Sequence, residues 1–118
     1  MRSYRKTTYP SSSQSSSLVN APIQLTANPG DILYLNIENP HASDKAYVQF
    51  FDALAVDVVL GTTKPRRSIV IPGGSVWDGQ FTVPMAFDTA ITIAATTTRE
   101  GSTTPSTALI VGCIDYLS

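Results

Sequence analysis

Ionisable and metal-binding side chains are scarce in this sequence. It holds one cysteine, Cys113, and one histidine, His41, and only 14% of its 118 residues are charged. A single cysteine rules out a disulfide within the chain. A tetrahedral zinc site would have to recruit carboxylates or a second chain. Cys113 sits in the apolar run 109–116 and reads as a buried, inert thiol. His41 follows Asn39-Pro40 in a polar stretch and reads as a solvated turn residue. The nine carboxylates are scattered singly, with neither calcium-loop spacing nor a signalled pair for acid–base work. Gly73-Gly74 lacks the Lys-Ser/Thr that a phosphate loop needs after its glycines. No apolar stretch approaches the ~18 residues of a membrane span. The basic N-terminus has no apolar run behind it, so it does not read as a secretory leader. The expectation is a protein that is not an enzyme, with no metal and no cofactor.

Charge is as informative by position as by amount. The net charge is −1, which does not suit a nucleic-acid or membrane partner for the chain as a whole. Yet Arg2, Arg5 and Lys6 precede the first acid, Asp31, and residues 21–118 carry five basic and nine acidic groups, a net of −4. The one basic cluster of the body is Lys64-Pro65-Arg66-Arg67, a solvated turn that could also meet phosphate or an acidic neighbour.

Apolar residues make up 42% of the chain, and eight prolines and seven glycines punctuate it. A single domain of this length buries roughly two-thirds of its unfolded surface, enough for one core without staples. Thr- and Val-rich segments between Pro/Gly turns favour strands. The pattern predicts strands over 22–27, 32–38, 46–52, 68–71, 75–83, 90–97 and 107–117, and a loop plus a strand within 51–60. In the second of these, Leu33, Leu35 and Ile37 share one face. Residues 84–89 read as a connection, and Gly112 as a bulge or a close approach within the last strand. About eight short antiparallel strands at regular spacing indicate a sandwich, jelly roll or barrel.

Residues 1–20 read differently. The stretch 11–17 holds six serines and offers nothing to bury, so the segment is either a loose tail or an arm extended on a neighbouring subunit. Arg2, Tyr4, Arg5, Lys6 and Tyr9 are the candidate interface residues of that arm. The sandwich domain proper is expected over 21–118, and removal of 1–20 is expected to leave it folded.

Three runs then carry a resemblance. Tyr47-Val48-Gln49-Phe50-Phe51-Asp52, Gly61-Thr62-Thr63-Lys64-Pro65 and Ile69-Val70-Ile71-Pro72-Gly73-Gly74-Ser75 occur in that order. They are followed by Phe87-Asp88-Thr89-Ala90-Ile91-Thr92-Ile93-Ala94 and preceded by Asn28-Pro29-Gly30-Asp31-Ile32-Leu33-Tyr34. Over about residues 20–118 the chain resembles small virion structural proteins of tailed bacteriophages. It departs from them in Ala90, where a glycine is usual, and in the apolar stretch 53–60.

The resemblance implies a jelly-roll-like β-sandwich that decorates and stabilises a capsid as a cement protein. It implies a homotrimer on the capsid surface of the virion, made in the host cytoplasm and bound to the major capsid protein or another virion protein. The alternatives are a tail, neck, baseplate or fibre component, and a carbohydrate-binding module in which Trp77, Tyr34 or Tyr47 lines a sugar face.

Overall fold

In a computed structural model, which describes residues 5–118, the chain is an all-β sandwich. The described residues form nine strands: β1 (Lys6–Tyr9), β2 (Ser17–Leu18), β3 (Ile23–Thr26), β4 (Gly30–Glu38), β5 (Ala46–Phe51), β6 (Arg67–Ile71), β7 (Val76–Phe87), β8 (Ile91–Thr96) and β9 (Leu109–Leu117). One sheet runs β1-β9-β4-β7, with β2 continuing beside β9, and the other runs β3-β8-β5-β6.

The ladders β2·β9, β3·β8, β4·β7 and β5·β6 are all antiparallel. The first half of the chain is thus zipped onto the second half as one long hairpin whose tip lies between β5 and β6. Rolling that hairpin brings β9 beside β4 and β8 beside β5. This topology is a jelly roll. Its core is the set of inward residues of both sheets, including Ile32, Leu35, Ile37, Phe50, Phe87, Ile93, Leu109 and Ile114, all buried.

Four features differ from the sequence expectation, each for a packing reason. In β4 the inward residues are Ile32, Leu35 and Ile37, while Leu33 is half-buried outside the core. The register shifts between Ile32 and Tyr34 against both β7 and β9, and such a bulge exchanges the faces of the strand. Opposite it, residues 81–84 lie between the pairings Tyr34↔Gln80 and Ile32↔Met85. β7 therefore runs on to Phe87, with Pro84 tolerated because β7 is an edge strand.

The segment between Phe51 and Arg67 contains no strand, only a 3₁₀ turn over Ala55–Asp57. Its apolar residues Val58, Ala53 and Leu60 pack on Phe51 and Ala94, so this loop covers the outer face of the β3-β8-β5-β6 sheet. That cover buries Thr92 and Ala94, while Thr96 is closed off by Gln49 and Thr98, so all six residues of β8 are buried.

The N-terminal segment is the largest departure. From Lys6 onward it belongs to the body. β1 pairs with β9 from Lys6↔Leu117 to Tyr9↔Ile114, and β2 from Ser17↔Ile110 to Leu18↔Leu109. Tyr9 is buried, and its hydroxyl donates to the Ser15 carbonyl at 2.9 Å. Leu18 is fully buried. Val19 then accepts the Ala95 N–H at 2.9 Å, and the chain crosses to the other sheet there. Two apolar anchors offset the ordering of a serine-rich strap that composition alone reads as loose.

Gly112 falls where the β4·β9 register slips between Asn36↔Cys113 and Ile37↔Val111, and a side chain there would collide with the Asn36 amide. Near the β6–β7 turn, buried Asn39 donates to the Asp44 and Ile71 carbonyls at 2.9 Å each. Gly73 lies so close to the Ser43 backbone that a Cβ would come within 2.5 Å of it.

Leu18→Ala removes a buried anchor of the strap, and the substitution is expected to lower unfolding stability by about 3 kcal/mol. Urea unfolding followed by tryptophan fluorescence measures the loss. An unchanged midpoint would contradict the docking of the strap.

Candidate functional site

The concave parts of the molecule carry little chemistry. A cavity of about 700 Å³ lies at one end of the sandwich beside Arg5, Leu25, Thr26, Asn28 and Tyr116. Its lining side chains are those of Arg5, two threonines, Asn28 and apolar neighbours, and the Tyr116 hydroxyl is committed to the Leu25 carbonyl at 2.9 Å. Burial pushes that phenol's pKa up, away from proton transfer at neutral pH.

Asp52 is structural. Its carboxylate accepts the backbone N–H groups of Asp88 at 3.1 Å, Thr89 at 2.8 Å and Ala90 at 3.4 Å, and Arg66 lies 3.9 Å away. Partial burial raises its pKa, but the three N–H groups and Arg66 outweigh that, so the net shift is downward.

His41 organises its turn rather than standing in solvent. Its Nδ1 accepts from the backbone of Ser43 at 3.1 Å and Asp44 at 2.8 Å, and its Nε2 faces the Asp44 carboxylate at 3.6 Å. Cys113 is half-buried on the outer face of the β1-β9-β4-β7 sheet, less enclosed than its apolar run suggests. Desolvation, then the charges of Asp115 and Asp78, push its thiol up, so it is not an activated nucleophile.

The surfaces are more distinctive. β6 and β7 end their respective sheets and are joined by the short turn at 72–75, so two unpaired edges run side by side. The strap closes the opposite side of the sandwich. Along the open side, Trp77 is 39% exposed and packs against Phe81 with ring centroids 6.5 Å apart, and Val83 is 80% exposed. A cleft of about 340 Å³ lies between Arg66, Arg67, Phe81, Val83 and Met85. A second of about 290 Å³ lies between Lys64, Arg66, Arg67, Ser68, Arg99 and the acidic Glu100. Arg66 is held by Asp52 and sits over the Phe87 ring at 5.9 Å. Arg99 and Lys45 flank Tyr47 at 5.2 and 5.7 Å from its centroid. Elsewhere, Val56 and Val59 project from the loop over the other sheet, 84% and 58% exposed.

The candidate arm residues are not brought together as an open interface. Arg2 and Tyr4 lie outside the described residues. Arg5 exchanges backbone hydrogen bonds with Ser118 at 3.2 Å, Lys6 pairs with Asp115 at 3.5 Å, and Tyr9 is in the core.

The aromatic residues considered for a sugar face are also dispersed. Tyr34 stands on the outer face of one sheet with its hydroxyl on Asp78, Tyr47 on the outer face of the other, and Trp77 at the open edge. No single platform joins them. Sequence patterning does not mark the exposed apolar residues of β7 as a surface. Trp77, Phe81 and Val83 share one parity, as residues of a buried face do, and the register irregularity opposite residues 81–84 accompanies the exposure of Val83.

The chain matches no family model, no curated protein and no solved structure.

The Asp52 clamp has a pH signature. A carboxylate with a depressed native pKa adds stability that is present above its unfolded value, about 4, and lost as pH falls through the native value. Asp52→Asn is expected to lower stability at pH 7 and to flatten the decline between about pH 5 and pH 2. Urea midpoints across that range test it. An acid limb as steep as that of the parent would remove Asp52 from the account.

Proposed function

We propose that this chain is a virion structural protein that decorates and stabilises a phage capsid, acting as a cement between capsid subunits. The observation that carries the reading is the exposure of apolar side chains at two separate places, the Val56–Val59 loop and the open β6–β7 side. A molecule that holds a shell together needs one surface for the shell and another for its neighbours. The jelly roll supplies a rigid frame between them, and the sequence resemblance to phage virion proteins points to the same role.

In this reading the Val56–Val59 loop meets the major capsid protein, and copies of the chain gather as a homotrimer on the capsid surface. Apolar burial of about 25 cal/mol per Å², repeated over many copies, makes a collectively large resistance to the outward load on a thin shell. No cofactor, nucleic acid or membrane enters the reading.

Copy number tests it. Reconstruction of particles carrying the chain is expected to place hundreds of copies over the shell, and Val56→Asp with Val59→Asp is expected to strip them off. A few to dozens of copies at a tail, neck, baseplate or fibre would replace the shell role with the other structural one.

A further inference from the structure

The basic turn before β6 plays no part in the shell reading. Four cations, Lys64, Arg66, Arg67 and Arg99, line one cleft of about 290 Å³ together with Ser68 and the acid Glu100. Acids are near, so their commitments decide the sign of the site. Asp44 lies outside this lining, and its carboxylate accepts the Ser106 hydroxyl at 2.8 Å and faces His41. Asp52 accepts three backbone N–H groups and reaches Arg66 from 3.9 Å. Glu100 forms an ion pair with none of the four cations. Setting Asp52 against Arg66 and Glu100 against one more cation still leaves two positive charges in the lining.

Two of the donors are held in place by the fold. The Arg66 N–H donates to the Phe50 carbonyl at 2.7 Å, which fixes the segment against β5, and the Arg66 guanidinium rests over the Phe87 ring at 5.9 Å. Arg99 belongs to the loop after β8. Its carbonyl accepts the Ser68 hydroxyl at 2.5 Å, one guanidinium nitrogen donates to the Ser68 carbonyl at 3.5 Å, and the guanidinium lies 5.2 Å from the Tyr47 ring. Arginines held in this way lose less side-chain freedom on binding, and their planar N–H forks match the oxygens of a phosphate. Arg66 and Arg67 also line the neighbouring cleft of about 340 Å³, whose other walls are apolar: Phe81, Val83, Pro84, Met85 and Ala86. The two arginines thus form a wall common to an ionic cleft and an apolar one.

We infer that these paired clefts bind a phosphate monoester, its phosphate among Lys64, Arg66, Arg67 and Arg99 and its esterified group against Phe81, Val83 and Met85. The excess of cations favours a dianion, and the apolar cleft favours an organic ester over the bare ion. The inference goes beyond the shell reading and requires only the folded chain.

Calorimetric titration of the full chain at about 50 mM salt tests it with two probes, inorganic phosphate and phenyl phosphate. Both are expected to bind 1:1, phenyl phosphate at least about fivefold more tightly because its ring is buried against apolar side chains. Both are expected to weaken in about 500 mM salt. Lys64→Ser with Arg67→Ser is expected to weaken both at least about tenfold. Glu100→Gln, which removes the acid of the lining, is expected to tighten both. Val83→Ser, at a residue 80% exposed, is expected to reduce the preference for phenyl phosphate and to leave inorganic phosphate unchanged. Circular dichroism confirms that the variants fold, and Lys64→Ser alone serves if the double variant does not.

No saturable binding of phenyl phosphate overturns the inference. So does a Lys64–Arg67 variant that binds like the parent, or a Glu100→Gln variant that binds more weakly. Phenyl phosphate binding no tighter than inorganic phosphate overturns the assignment of an ester. A chain that binds heparin and neither small probe also overturns it, and gives the arginines to a polyanion surface. A chain that binds phenyl phosphate yet leaves shells bare would keep the inference and remove the shell role.

Discussion

The antiparallel pairing of β9 is the interaction on which the rest of the molecule is hung. β9 is the one strand that meets the strap, through β1 and β2, on one edge and β4 on the other. Its inward residues Leu109, Val111, Ile114 and Tyr116 supply a large part of the core. The pairing requires a close approach at two glycines. Gly112 leaves room for the Asn36 amide, and Gly30 leaves room for the Leu117 carbonyl, which a Cβ would strike. Once β9 is fixed between its neighbours, the rolled hairpin determines where every other strand lies.

That arrangement makes the two sides of the sandwich unequal. On one side the strap crosses from sheet to sheet and satisfies the edge of β9. On the other side β6 and β7 keep open edges, joined by a turn that Asn39 staples through its two donated hydrogen bonds. Long apolar edges invite other chains to pair with them, and natural proteins keep them only where pairing is tolerated or used. Here the edge is twisted by the bulge at 81–84 and flanked by arginines, which steers what approaches rather than blocking it.

The fold was legible where alternation and turn chemistry agree. Strands at 46–51, 67–71, 91–96 and 109–117 follow from runs of β-branched and aromatic residues between polar or turn segments, with Pro65 and Pro72 bounding 67–71. What escaped the pattern was tertiary. A bulge at Leu33 exchanges the faces of β4, and nothing in Ile32-Leu33-Tyr34 marks it in advance. The apolar residues of 53–60 suggest a strand but serve as a cover for Phe51 and Ala94. Six serines dominate the composition of the strap, so it reads as a tail or a free arm, while its place in the fold is decided by the buried Tyr9 and Leu18. The open β7 edge is not written in the pattern, because Trp77, Phe81 and Val83 share one parity and the irregularity at 81–84 is tertiary.

Amide hydrogen exchange on the free protein measures this asymmetry most directly. The account predicts slow exchange for the paired amides of β9 and of β1 beside it, with fast exchange for the N–H groups on the open edge of β7. Fast exchange throughout residues 6–18 together with a protected β7 edge would contradict it.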